Sequence, residues 1–524
     1  MIERLRNIEP DDLTTFTNEL KEAIVARVSD KIPHLESSLA VAELTVALHY
    51  VLNTPEDLLI WDVGHQGYVH KALTGRLDAL STQRTKEGIS GFLKSDESPF
   101  DFFGAGHAST SLSVLTGACI ADAAAGLQRK RVAVIGDGSM TGGQSFEALN
   151  HLATLDGDAV VIINDNDGSI DPTVGALHEN NSYKAYIQSL GWEYSYLDLG
   201  NDVLSLLESL KLVIDRGGKQ VLHIRTKKPD LNKSKSYQPG TTFQWWAAEQ
   251  MRSILKANDR LRVFSPAMFA SSGFGPLRAE FPEKFIDTGI NEPHTVTAAA
   301  GMAAAGGRAW VHIYSTFLQR AMDQVIHDIA LQNLPVIFLV DRAGLVGADG
   351  PTHHGVFDAG FLMDVPNATV WNPRNGDELQ AMMAKAASVQ DALEGPLFIR
   401  YPKAKTVCGT KENFEPVKWV SQQGSNSLLI STGALSSFVE SRVFDHLHIG
   451  QVKPLPEGFS ALLKDYDNIL VLEEAIGVGG LFGAVAGLIA DEDLKVKMVK
   501  RKISDEFTNH GNRHELLQEL GLIP

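Results

Sequence analysis

The sequence predicts an α/β protein built as three successive parallel-sheet domains. Three observations carry that reading. Short apolar, β-branched runs of strand length recur along the chain, and helix-length stretches separate them, which is the pattern of βαβ units buried on both faces. A Lys-, Ser-, Pro- and Gly-rich stretch without apolar period, 227–242, interrupts the alternation. The length of 524 residues, 44% hydrophobic and 21% charged, provides material for about three ordinary cores.

The elements follow in chain order. Residues 39–51 are apolar and helix-length, 131–135 form a β-branched run ending in Gly136, 144–155 read as helix and 159–163 as a buried strand. A further strand at 220–225 closes a first domain over 1–228, and 229–244 serve as linker. The second domain, 245–404, has strands at 310–313, 336–340 and 397–401. The third, 405–524, repeats the pattern with strands at 427–430 and 469–472.

Composition narrows the partners. Sixty-four acidic against 47 basic residues give a net charge of −17, which repels nucleic-acid backbones and anionic lipid. Small phosphorylated substrates stay open, since they need only a few placed arginines. Two cysteines, Cys119 and Cys408, cannot build a disulfide framework or a cysteine-rich zinc site, and they fit a reducing compartment. Residues 1–6 lead into an acidic helix and lack an apolar signal region. No uncharged run reaches the ~20 residues that span a bilayer. The expectation is a soluble, cytoplasmic protein.

The most informative stretch is Ile135-Gly136-Asp137-Gly138-Ser139, followed 28 residues after Gly138 by Asn166 in Asn164-Asp165-Asn166. Both segments follow predicted strands, so both lie at the carboxyl edge of one sheet, where open parallel sheets bind ligands. The predicted helix from Gln144 points its positive end toward that edge. Asp137 offers a carboxylate and Asn166 an amide oxygen, a pair of hard donors that suits Mg²⁺. Gly-Asp-Gly alone is also an ordinary strand-to-turn sequence. Paired with the later Asn at this spacing, it resembles the diphosphate-binding pattern of thiamine diphosphate enzymes. A nicotinamide site would want Gly-x-Gly-x-x-Gly after the first strand, which this loop lacks.

Such enzymes also need a Glu that activates the cofactor's aminopyrimidine, while the cofactor does the organic chemistry. Glu292, in Asp287-Thr288-Gly289-Ile290-Asn291-Glu292-Pro293-His294, stands between a strand-like segment and a small-residue helix. An acid there could instead serve only as a solvated dipole partner. The surroundings, Tyr314-Ser315-Thr316-Phe317-Leu318-Gln319-Arg320 and Asp341-Arg342-Ala343-Gly344-Leu345-Val346-Gly347-Ala348-Asp349-Gly350, resemble the 1-deoxy-D-xylulose-5-phosphate synthase family. So do Ile60-Trp61-Asp62-Val63-Gly64-His65-Gln66 and Gly106-His107-Ala108-Ser109. The motifs cover most of residues 34–402; the last 120 residues are similar only in outline.

The resemblance implies a transketolase-like thiamine diphosphate-binding fold and particular roles. Mg²⁺ would be held by Asp137, Asn166 and the Gly168 carbonyl. His65, Gly106, His107, Ala108, Gly138, Ser139, Asn166 and Tyr237 would line the cofactor. Glu292 would activate the aminopyrimidine and Phe317 stack on it. Arg342 and Arg400 would bind an aldehyde's phosphate, for which the guanidinium fork suits paired oxygens. His34, Tyr314, Arg320, Asp349 and His353 would surround the reacting carbons. The implied partners are pyruvate and a phosphorylated aldehyde, the implied state a homodimer.

Bland alternatives stand beside these roles. His65 could be a buried histidine satisfied by a main-chain carbonyl, and Arg400 could pair only with a carboxylate. His49 and His354 read as structural. The chain also departs from the family pattern. Only 12 residues separate Leu177 from Leu190, where the family carries a long arm. Asn201 and Gln244 stand where histidines are usual, and Pro293, Lys403 and Ala108 are further replacements. Losing the histidine at 244 removes a candidate acid/base. The reaction expected is decarboxylative transfer from pyruvate to D-glyceraldehyde 3-phosphate. A different aldehyde acceptor and a catalytically silent cofactor-binding scaffold are the alternatives.

Overall fold

In the computed structural model, which describes all residues except 29–32, 167, 169–170, 231–239, 410–411, 440 and 502, seventeen strands form three sheets. The first sheet contains β1 (Leu58–Asp62), β2 (Arg131–Gly136), β3 (Ala159–Asp165), β4 (Glu193–Leu197) and β5 (Lys219–Arg225), in the order β1-β2-β3-β5-β4. Every pairing in it is parallel. Alternate residues of one strand enter different cores. Val132 and Val134 join a cluster with Leu59 and Ile162, whereas Ala133 and Ile135 join one with Ile60 and Ile163. Burial on both faces is why these strands read as continuous apolar runs.

The second sheet contains β6 (Leu261–Ser265), β7 (Phe285–Asp287), β8 (Arg308–Tyr314), β9 (Ile337–Asp341), β10 (Thr369–Trp371) and β11 (Leu397–Tyr401). The third contains β12 (Val417–Ser421), β13 (Ser427–Ser431), β14 (Asp445–Ile449), β16 (Asn468–Leu472) and β17 (Lys497–Arg501). The three-sheet α/β architecture agrees with the sequence, with two differences. β12 runs antiparallel to β14, and β15 (Gln451–Lys453), from the last block, adds antiparallel to β10 at the edge of the second sheet. Three residues between Gly450 and Pro454 are too few to show a period.

Residues 1–235 with 289–291 form one compact unit, and 236–288 with 292–524 a second. The second and third sheets share a core: Val311, Phe338 and Phe398 of one pack in the same cluster as Leu428, Ile430 and Ile469 of the other. The short segment after Leu177 is occupied by two small helices, Ala176–Glu179 and Tyr183–Ser189. Among the described residues, no helix is long and apolar enough to cross a membrane.

Candidate active site

In the first unit, β1, β2 and β3 end side by side at Asp62, Gly136 and Asp165. Buried polar groups fasten the loops that leave them. The Asp62 carboxylate accepts the backbone N–H groups of Ser109 and Ser111, each at 2.9 Å, which folds the segment bearing Gly106, His107 and Ala108 back onto the sheet edge. Ser109 donates its hydroxyl to the Ser139 carbonyl at 2.7 Å. Gln66 donates to the Asp62 carbonyl and accepts from Asn164 Nδ2, both at 2.8 Å, and Thr226 donates to Asn164 Oδ1 at 2.6 Å. The edge is a cross-linked rim, so the side chains above it are held in place.

A cavity opens among these loops. It brings together six of the residues expected from sequence: His65, Asp137, Gly138, Ser139, Asn166 and Gly168. Gly106, His107 and Ala108 are not among its lining residues, although their segment is tied to Asp62. His34 lies beside the cavity's His65, with ring centroids 4.7 Å apart. Tyr237 lies outside the described residues.

Asp137 is 2% exposed and accepts from Thr173 Oγ1 at 2.6 Å. Burial pushes its carboxyl up, opposed by that hydrogen bond and reinforced by the charge of Asp165. Asn166 Oδ1 is buried and has no hydrogen-bond partner among the described residues. The Gly168 carbonyl accepts the ammonium of Lys228. A buried carboxylate, an orphaned amide oxygen and a carbonyl that already attracts a cation make an oxygen donor set that fits Mg²⁺. Asp137, Asp165 and His178 form a second grouping, with ligand atoms within 4.8 Å of one another. Its imidazole suits a transition metal better than magnesium.

In the second unit, Glu292 opens the helix Glu292–Ala304 and is 1% exposed. Its Oε2 has no hydrogen-bond partner among the described residues; Arg320 Nη1 lies 3.5 Å away, in ion-pair range only. Burial pushes the Glu292 carboxyl up, and Arg320 offsets only part of the effect. A buried acid with an uncommitted oxygen is the donor or acceptor that a ring nitrogen requires, so the site fits an aminopyrimidine.

Beyond Glu292, the aromatic and basic residues form one packed group. Phe317 stacks on Tyr314 with centroids 5.5 Å apart and 14° between planes, and meets the edge of His353 at 5.5 Å. The Arg342 guanidinium lies 3.6 Å over the Tyr314 ring, pairs with Asp341 and donates to the Ser271 carbonyl at 3.0 Å. Asp341 in turn accepts from Gln244 Nε2 at 2.5 Å. Gln244 thus braces the carboxylate behind Arg342, and it also donates to the Pro402 carbonyl at 3.1 Å. Asp349 faces Lys403 at 3.7 Å.

Arg400 differs from the simple expectation. Its Nε and Nη2 form a bidentate pair with the buried Asp358, both at 2.7 Å, and Nη1 reaches Asn372 at 3.2 Å. It lines a separate cavity with Asn372, Thr432, Glu473 and Glu474. His49 and His354 are buried and hydrogen-bonded, His49 to Thr54 and His70, His354 to Val346 and Asn509. Asn201 ties the Ala40 carbonyl to the Lys227 N–H.

The profile described as "1-deoxy-D-xylulose-5-phosphate synthase" matches residues 1–189, and that of the "Transketolase, pyrimidine binding domain" matches 242–407. The 1-deoxy-D-xylulose-5-phosphate synthase of Dechloromonas aromatica (strain RCB) is 36% identical over 591 residues, covering 99% of this chain and 95% of its own. The chain belongs to the 1-deoxy-D-xylulose-5-phosphate synthase family. The Methylococcus capsulatus (strain ATCC 33009 / NCIMB 11132 / Bath) synthase is 37% identical over 601 residues, covering 99% of this chain and 92% of its own. Both aligned spans exceed the 524 residues of this chain, so it is shorter than these two relatives over the matched region. Sequence reasoning did not single out Lys228, Gln66 or Ser37, all of which line the first cavity. Their signal was position: Gln66 follows His65 directly, and Lys228 lies three residues past the end of β5.

Proposed function

We propose that this chain is a thiamine diphosphate-dependent transferase that condenses pyruvate with D-glyceraldehyde 3-phosphate, releasing CO₂ and forming 1-deoxy-D-xylulose 5-phosphate, a precursor for isoprenoid synthesis. The observation that carries this is Glu292, a buried acid with an uncommitted oxygen inside the matched pyrimidine-binding segment. When bound, thiamine diphosphate supplies the nucleophile and the electron sink for decarboxylation.

The residues divide the remaining work. Asp137, Asn166 and the Gly168 carbonyl would hold Mg²⁺, and His65, Gly138 and Ser139 would wall the diphosphate. Glu292 would exchange a proton at Oε2 with the aminopyrimidine, a task for which its raised carboxyl is suited. Phe317 presents a ring face for stacking. Arg342 is held fully charged by Asp341 and aimed by the Ser271 carbonyl, which readies it for a phosphate. Arg400 has three of its five N–H groups engaged and can offer the rest to a ligand in its cavity. His34 and His353 would move protons on the substrate carbonyl and hydroxyls. On family membership, we read the working form as a cytoplasmic homodimer.

The test is Glu292→Gln. Turnover should fall by roughly 10²- to 10⁴-fold. Thiamine diphosphate affinity, followed by tryptophan fluorescence, should stay within a few-fold of wild type. Turnover close to wild type would remove Glu292 from the mechanism and the reading with it.

A further inference from the structure

The loop after β9 carries Arg342, Asp349 and His353, and the chain's last segment holds it by its backbone. Glu474 Oε2 accepts the Leu345 N–H at 2.9 Å, and Arg513 Nε donates to the Leu345 carbonyl at 2.8 Å. Glu474 and Arg513 also pair with each other, so two opposite charges close a ring around one residue's main chain. Their side chains are only 11% and 14% exposed, where such bonds are strong and costly to break. Around this ring the packing leaves no slack. A Cβ on Gly344 would lie 2.3 Å from Glu474 Oε2, and one on Gly347 would lie 2.9 Å from the Gly511 carbonyl oxygen. Gly511 N–H donates to the Gly347 carbonyl at 3.3 Å. The same segment reaches further along the loop, where His354 accepts from the Val346 N–H and donates to the Asn509 carbonyl.

Glu474 has a second position. It lines the cavity that contains Arg400, and Gly344 lines it too. One carboxylate therefore bonds the loop that bears Arg342 and also lines the cavity that bears Arg400. We propose that Glu474 and Arg513 are positioning residues for the aldehyde acceptor, setting the Arg342 loop in register with the Arg400 cavity. This rests on the synthase reading above. The role points to the acceptor because the backbone that the clamp grips, Leu345, lies three residues from Arg342, and the clamp bonds neither Glu292 nor a residue of the first cavity.

The experiment compares Arg513→Met with the charge-neutral pair Glu474→Gln/Arg513→Met, which leaves no uncompensated buried charge if the single variant fails to fold. The expected result is a KM for D-glyceraldehyde 3-phosphate raised by roughly ten- to a hundredfold. The KM for pyruvate and thiamine diphosphate affinity should be little changed. Hydrogen exchange in the peptide covering 343–354 should accelerate in the full-length protein without substrates. Faster loop exchange with an unchanged acceptor KM would overturn the positioning role, and unchanged loop exchange would overturn the clamp. A uniform loss of pyruvate, acceptor and cofactor binding in both variants would mark a merely structural pair and also overturn it. If the wild-type protein shows no aldehyde-stimulated turnover, the synthase reading fails and the acceptor role falls with it, while the exchange data still report on the clamp.

Discussion

At the residue scale, the site turns on buried oxygens that lack a hydrogen-bond partner among the described residues. Asn166 is a direct case: its orphaned Oδ1 costs desolvation with no hydrogen bond in return, which a bound cation would offset. Asn166→Ala should weaken Mg²⁺-dependent thiamine diphosphate binding by roughly ten- to a hundredfold, measurable by calorimetry. A second case concerns pH. Asp101 pairs bidentately with Arg76, both bonds at 2.7 Å, and meets His70 at 3.1 Å. Burial alone would raise its carboxyl, but Arg76 and His70 outweigh burial and hold it well below the usual range near 3.9. The native state therefore binds fewer protons than the unfolded chain. The stabilisation is complete above the unfolded value and fades as pH falls toward the depressed one. Asp101→Asn should lower stability at pH 7 by about 3–5 kcal/mol and flatten the acid side of the Tm-versus-pH curve.

At the element scale, strands were legible and their fittings were not. The runs 131–135, 159–163 and 397–401 could be read because burial on both faces makes a strand apolar throughout, and the structure extends or matches each. β15 and β12 escaped because an edge strand is short or only half-buried, and the fully buried β14 because Asp445, His446 and His448 interrupt its apolar run. β1, β6, β10 and β17 were not read as strands either. Asp137, Asn166 and Glu292 stood out through spacing at strand ends, which a chain can display. The partners that aim them, such as Thr173 on Asp137 or Gln244 on Asp341, are distant in sequence and carry no local signal. Gln244 shows this most clearly: as a replacement for histidine it read as a lost acid/base, and nothing in its sequence context signalled that its amide also braces Asp341. Loop geometry gives the element-scale prediction. Gly347 has φ of 83°, and an added Cβ would lie 2.9 Å from the Gly511 carbonyl oxygen and 3.0 Å from Arg513 N, so Gly347→Ala should cost about 1–3 kcal/mol in urea unfolding.

At the scale of the whole molecule, the residues proposed for the chemistry fall in two compact units. The first has the oxygen donors and the cavity proposed for the diphosphate; the second has Glu292, the aromatic group and both arginines. Ligand linkage follows. At a hundredfold excess over Kd, thiamine diphosphate with Mg²⁺ should stabilise the protein by about 2.7 kcal/mol, seen as a higher Tm that EDTA reverses. Light scattering should give twice the chain mass. The decisive measurement is CO₂ release from pyruvate with Mg²⁺ and thiamine diphosphate, with and without D-glyceraldehyde 3-phosphate, together with the mass of the product. The aldehyde should stimulate release, with a five-carbon deoxyketose phosphate formed in equal amount. Release unaffected by the aldehyde, or none at all, would rule out the synthase reaction.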